Sequence, residues 1–332
     1  MKNPTHWTKA DLYTHLQHAL ELELWTIPLY LTALYSIKEI KDKKPQDYPD
    51  SAKLILSVVA QEMLHLELVC NISNALGHAP RFRPPVYDEQ KGIPFIHPLK
   101  EHLPDYLTAY SVKPQALNRN SLCLFCAIEL PHPKKEIVWV KERTCESIAE
   151  LYEGLKTGIV TLWNECYVGD ARNMRQKNNF KEYHNREGRS HGFSQVVNSP
   201  ESALKAIDAI VEQGEGADSK QVPADFRPPV IDPGKEYDAG WYKGNLSHYQ
   251  KFRILHHHHH KLPEVYSEKS EVENLPAQLQ LQKTFIDFLD ELEKGFNSDG
   301  PAMTAAFWDK MYALRHVISE AWEAGACPDF NF

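Results

Sequence analysis

The sequence predicts an all-α protein, and three observations carry that reading. Apolar residues recur at spacings of three and four in most long segments. Runs of alternating β-branched residues are nearly absent. The long stretches Gly77–Pro114 and Gly216–Gly244 are rich in Pro and Gly, so they connect elements and do not form them. The 332 residues are 42% hydrophobic and 25% charged, enough apolar material for a real core. With 45 acidic against 37 basic side chains the net charge is −8, and no overall positive field draws in nucleic acid or an anionic membrane. The start, Met1 to Trp7, lacks a continuous apolar leader, and no later stretch approaches ~20 uninterrupted apolar residues. A cytoplasmic protein without membrane or nucleic-acid partners is expected. Six cysteines are too few for a disulfide framework, and Cys123-x-x-Cys126 is a lone pair without a second to complete a zinc site, so buried free thiols are expected.

The elements follow in order. A first helix should begin at Thr8, a good N-cap three residues before Asp11, and run to about Lys38 with Leu16, Leu20, Ile27, Leu31 and Leu34 on one stripe. Pro28 removes an N–H from it, so a kink or bulge is expected there. A second helix covers Ser51–Leu76 and closes at Gly77. The third runs from about Thr144 to Tyr167, the fourth from Ser199 to Gly214, and a short fifth from Ser247 to about His256. Two more, Pro276–Gly295 and Pro301–Ala324, complete the chain. The first four should form an antiparallel bundle with the C-terminal pair outside it. No repeat or shift of composition marks a boundary, so residues 1–332 are expected to be one domain, with a bundle core of about 8–256 and a helical pair at about 275–324. Loops as long as these inside such a chain usually act as lids or pocket walls.

Several carboxylates and histidines interrupt apolar stripes. Helical phase places Glu23 on the stripe of the first helix and Glu21 on the opposite face, because two residues are about 200° apart. The second helix reads Val58, Glu62, His65, Val69, Ile72, Leu76 along its core face, and Glu62-x-x-His65 sets an oxygen and a nitrogen donor side by side. On that helix taken alone a core salt bridge, or a histidine satisfied by a backbone carbonyl, competes with the metal pair. In the fourth helix Glu215 follows Leu204, Ile207 and Val211 in phase, whereas Glu212 falls on the wet face, so Glu215 should be the more buried. His248 is in phase with Phe252 and Leu255. The third helix keeps Glu150 and Glu153 off its apolar stripe; either could supply a carboxylate, and a solvated acidic face competes with both. The set Glu23, Glu62, His65, Glu153 (or Glu150), Glu215 and His248 has the composition of a di-metal carboxylate site in a four-helix bundle. The run His256–His260 reads as an exposed, non-catalytic segment. Glu129 stands in an apolar segment, a spare ligand at best, with the arginines of Arg81–Arg83 as its expected partners.

The sequence resembles the ferritin-like proteins related to the iminophenyl-pyruvate dimer synthase domain of violacein- and rebeccamycin-type pathways. The likeness lies in Ala19–Ile37, with Glu21-Leu22-Glu23-Leu24-Trp25-Thr26-Ile27-Pro28 at its centre, in Glu62-Met63-Leu64-His65-Leu66, in Gln213-Gly214-Glu215-Gly216 and in Ser247-His248-Tyr249 followed by Phe252. It implies a ferritin-like four-helix bundle, iron as the metal (one or two ions), and oxidative chemistry on amino-acid-derived metabolites. The second histidine lies beyond a long insertion after Glu215 and outside any E-x-x-H, so a one-metal site and a site with two unequal metals both stay open.

Together these readings lead us to expect a non-haem iron oxidoreductase of specialised metabolism that uses dioxygen or peroxide on a small aromatic or amino-acid-derived molecule. Glu62 is the expected bridging ligand, and Tyr30, Tyr152 and Trp25 the expected pocket walls. Metal storage or sequestration without an organic substrate is the alternative, and assembly into a homo-oligomer is open.

Overall fold

Thr8 starts the first helix as its sequence predicts: its hydroxyl accepts from the Asp11 amide, and Asp11 accepts in return from the Thr8 amide, closing a capping box. The computed structural model describes residues 2–96, 104–107, 110–131, 145, 147–169, 174–180, 195–215, 246–269 and 276–331. Helix α1 (Lys9–Tyr35) runs unbroken through Pro28. Helix α2 (Asp50–Ala75) closes at Gly77, whose φ of 79° is the left-handed turn that glycine permits, and the amide of His78 returns to the carbonyl of Ser73 at 2.9 Å. The hydroxyl of Tyr13, early in α1, bonds the carbonyl of Leu76 at 2.7 Å, so these two helices run antiparallel. By length and composition α2 could cross a membrane, but its residues are mostly buried, the property of a bundle's core helix.

Helix α3 (Arg119–Ile128) begins at the cap Asn118, α4 (Ile148–Cys166) at the cap Ser147, α5 spans Pro200–Glu215, and α6 (His248–His257) opens with a capping box between Ser247 and Gln250. Helices α7 (Pro276–Asn297) and α8 (Ala305–Ala324) follow. Helix α1 packs on α2 and α4, and α5 packs on both of those, which closes a ring of four. Helices α3 and α6 pair with one another, and α6 lies against α2 and α5. The α7–α8 hairpin sits outside the ring on α1, where the Trp322 indole donates to the Thr32 carbonyl at 3.0 Å. Among the described residues the only β pairings are two isolated bridges.

The all-α architecture, the four-helix ring and the outer C-terminal pair match the sequence's expectation. Three details differ. The apolar run Leu122–Ile128 is a helix, held at its start by the Asn118 side chain on the amides of Asn120 and Ser121. Helix α4 starts at Ile148 and not at Thr144, because Ser147 provides the cap. Helix α8 starts at Ala305 because Thr304 does the same. The segment Gly216–Gly244 lies outside the described residues.

Candidate metal centre

Each helix of the site contributes a polar side chain where its neighbours are apolar. Glu23 projects from α1 between Leu20 and Ile27 and is 4% exposed, while Glu21, on the other face, is partly exposed and accepts from Gln17. Helix α2 brings Glu62 and His65 one turn apart, both buried. Helix α6 adds His248, its first residue, and the C-terminal end of α3 adds Glu129, its C-cap. The distances show convergence. Nδ1 of His65 lies 3.4 Å from Oε2 of Glu23 and 4.0 Å from Oε2 of Glu62. Nδ1 of His248 lies 2.8 Å from Oε1 of Glu62 and 3.5 Å from Oε1 of Glu129. One donor atom each from Glu62, His65 and His248 falls within 4.8 Å of the other two, which is the span of ligands around a single ion.

A second layer of groups holds these donors in place. The Thr26 hydroxyl donates to Glu62 at 3.0 Å, the Tyr30 hydroxyl to Glu129 at 2.7 Å, and the Tyr152 hydroxyl to Glu23. Nε2 of His65 meets Oε1 of Gln213 at 3.0 Å, and Nε2 of His248 meets Oε1 of Gln61 at 3.2 Å. A ring nitrogen turned to an amide oxygen carries the proton, so each imidazole aims an unprotonated Nδ1 at carboxylate oxygens. Nδ1 of His248 has no hydrogen-bond partner despite its short distance to Glu62. Burial keeps His248 below the usual histidine value, so the ring is neutral. Where Glu62 is ionised, as a metal ligand must be, the lone pairs of ring and carboxylate repel, and a cation between them reverses the sign.

The carboxylates are electrostatically strained against one another. Burial first, and then the neighbouring charges of Glu129 and Glu23, raises the carboxyl of Glu62 well above the ordinary range. Burial also acts to raise Glu129, and the Tyr30 hydroxyl that donates to it acts the other way. Burial, with adjacent carboxylates, raises both tyrosine hydroxyls, so they stay protonated donors. The cavity between these groups is about 10 Å³, the space of about one water or one ion, and Leu22, Ile148, Ile210 and Val211 form its apolar side. Gly214 completes the wall: a Cβ there would stand 3.2 Å from Oε2 of Glu129. The donor set, carboxylate oxygen with neutral imidazole, suits a first-row divalent ion such as iron.

Of the residues expected as ligands, the structure brings Glu23, Glu62, His65 and His248 together. Glu153 stands elsewhere: its side chain is 47% exposed and pairs with Lys156 at 2.6 Å, and Lys156 also binds Asp208, because that face of α4 meets the polar side of α5. Glu150 is buried at the start of α4 but does not line the cavity. Glu215 ends α5, and its side chain, with the comparison to Glu212, lies outside the described residues. Glu129 joins the cluster through His248 and Tyr30, not through the Arg81–Arg83 loop. Trp25 is no pocket wall: its indole donates to the Val86 carbonyl at 3.0 Å, away from the cavity. Tyr30 and Tyr152 act through their hydroxyls. The histidine run divides, with His256 buried against Cys123 (Nε2 to Sγ, 3.2 Å) and His257, His259 and His260 exposed. The six cysteines are free thiols.

The Ferritin-like family model matches residues 16–257, a span that holds every residue of this cluster. A crystal structure of a ferritin like protein from Caulobacter vibrioides superposes with a TM-score of 0.71 at 28% sequence identity, covering 98% of this chain and 99% of that one. No curated protein matches the chain.

Proposed function

The chain belongs to the ferritin-like family, and on that footing we propose that it is a non-haem iron oxidoreductase acting on a small aromatic or amino-acid-derived metabolite. The observation that carries the metal reading is the pair of imidazoles whose Nδ1 atoms face three buried carboxylates. Glu23, Glu62, His65, Glu129 and His248 would hold the iron, as one or two ions. Bound there, iron would supply electron transfer to dioxygen or peroxide. The chain's own groups prepare the place. Gln213 and Gln61 orient the two rings; Tyr152, Thr26 and Tyr30 fix one carboxylate each. Leu22, Ile148, Ile210 and Val211 keep the remaining space dry, which strengthens every charge interaction inside it.

The resemblance of Ala19–Ile37, Glu62–Leu66, Gln213–Gly216 and Ser247–Tyr249 to the iminophenyl-pyruvate dimer synthase type of sequence supports the substrate class. Among the described residues the cavity has room for an ion or a diatomic molecule and not for an aromatic ring, so an organic substrate would meet the centre from outside it. That same small space favours a second reading, iron sequestration without an organic substrate. One experiment separates them. The protein is loaded anaerobically with Fe(II), and oxygen consumption is followed with and without aromatic α-amino-acid-derived compounds. The enzyme reading predicts oxygen uptake that depends on the organic compound and an iron content that stays at site stoichiometry. Iron accumulating far beyond it, with uptake indifferent to the compound, supports sequestration.

A further inference from the structure

Lys251 stands one turn after His248 on α6 and is 3% exposed, a rare burial for a lysine. Its Nζ donates to Oε1 of Gln61 at 2.6 Å. The same oxygen lies 3.2 Å from Nε2 of His248. The atom of Gln61 that accepts from Nζ is the carbonyl oxygen, with the NH2 turned away. An oxygen only accepts, so Nε2 of His248 must carry the ring proton and Nδ1 must be bare. That is the nitrogen 2.8 Å from Glu62 and without a hydrogen-bond partner.

We propose that Lys251 is a positioning residue that, through Gln61, locks His248 in the tautomer able to take a metal ion at Nδ1. This rests on the metal-centre reading of the cluster. Without the lysine, the Gln61 amide is free to turn over and present its NH2 to Nε2. The proton then moves to Nδ1 and is donated to Oε1 of Glu62. Ring and carboxylate satisfy one another, and the ion loses two donors at once. His65 is held by a different amide, Gln213, so its ring reports independently on whether the fold of the site is intact.

The test uses the full chain at pH 6 with cobalt(II) as the probe, together with ¹⁵N NMR of the histidine rings in metal-free protein. Lys251→Met should weaken cobalt binding by about 10–100-fold and shift His248 from the Nε2–H to the Nδ1–H form while His65 stays unchanged. Gln61→Glu keeps acceptor oxygens and has no NH2 to turn, so it should retain the wild-type tautomer and bind cobalt to within about threefold. Where Lys251→Met does not fold, Gln61→Met leaves the lysine in place and must give the same tautomer shift. An unchanged His248 tautomer and unchanged affinity in Lys251→Met or, in its place, Gln61→Met overturn the proposal. If the wild type binds no cobalt, the metal-centre reading falls, and the His248 nitrogen shifts still decide the role of Lys251.

Discussion

Glu62→Gln should make the metal-free protein more stable at alkaline pH while removing its metal. The folded carboxyl is raised above its ordinary value of 4.5 by burial and by the charges of Glu129 and Glu23. Below pH 4.5 both folded and unfolded states hold the proton and the group is neutral in its effect. Above it the unfolded chain ionises while the folded chain keeps the proton, so stability falls as pH rises, up to the folded value. The slope for one group is at most about 1.4 kcal/mol per pH unit. An unfolding entropy scaled to 332 residues is roughly 0.7 kcal/mol/K, which turns that slope into about 2 °C of Tm per pH unit. Glutamine has no proton to lose, and its amide oxygen still accepts from Thr26. Thermal melts with chelator at pH 5, 6, 7 and 8 should therefore show the variant gaining on the wild type as pH rises. If Glu62 were instead the anion of a structural ion pair with His65 or His248, the variant would lose stability at every pH. The loss would be of the order of 3–5 kcal/mol, as for a broken buried pair. That result would refute the reasoning.

Other perturbations probe the walls and the corrected ligands. Gly214→Ala sets a methyl 3.2 Å from Oε2 of Glu129 and should weaken metal binding by roughly tenfold with little change in Tm, measured by calorimetric titration. Gly158→Ala places a methyl 2.3 Å from the Trp7 ring, and this overpacking should cost about 1–3 kcal/mol in urea denaturation while metal content stays constant. Glu153→Gln breaks a partly exposed pair with Lys156. It should leave bound iron unchanged and cost no more than about 1 kcal/mol, whereas Glu23→Gln should lower iron retention after gel filtration.

Helical phase made part of the site legible in advance. Glu23, Glu62, His65 and His248 each replace an apolar residue on a regular stripe, and burial on a stripe is what spacing reports. Glu129 does not interrupt a stripe: it caps a ten-residue helix that is apolar nearly throughout, where periodicity gives no direction. The pattern Asn118-x-x-Ser121 ahead of that run is the signal that would have revealed α3 and, with it, a carboxylate at its far end. Gln61 and Gln213 carry no charge, so nothing in composition distinguishes them from surface amides; only their positions beside the two imidazoles give them a role. Glu153 pairs with Lys156 one turn along its own helix, an i,i+3 spacing visible in the sequence, and the bond from Lys156 to Asp208 of α5 makes that face of α4 a polar helix contact and not a wall of the site. His256 is buried because α6 packs on α3, where its Nε2 meets Sγ of Cys123.

The retention of iron by the folded chain tests the central claim most directly. Wild type with His257–His260 replaced, so that exposed imidazoles do not inflate the count, is loaded anaerobically with Fe(II), freed of loose metal and analysed beside a His65→Ala/His248→Ala variant in the same background. The account predicts at least one iron per chain in the first and none in the second, with equal helical dichroism. Equal iron in the two proteins, or none in either, would contradict it.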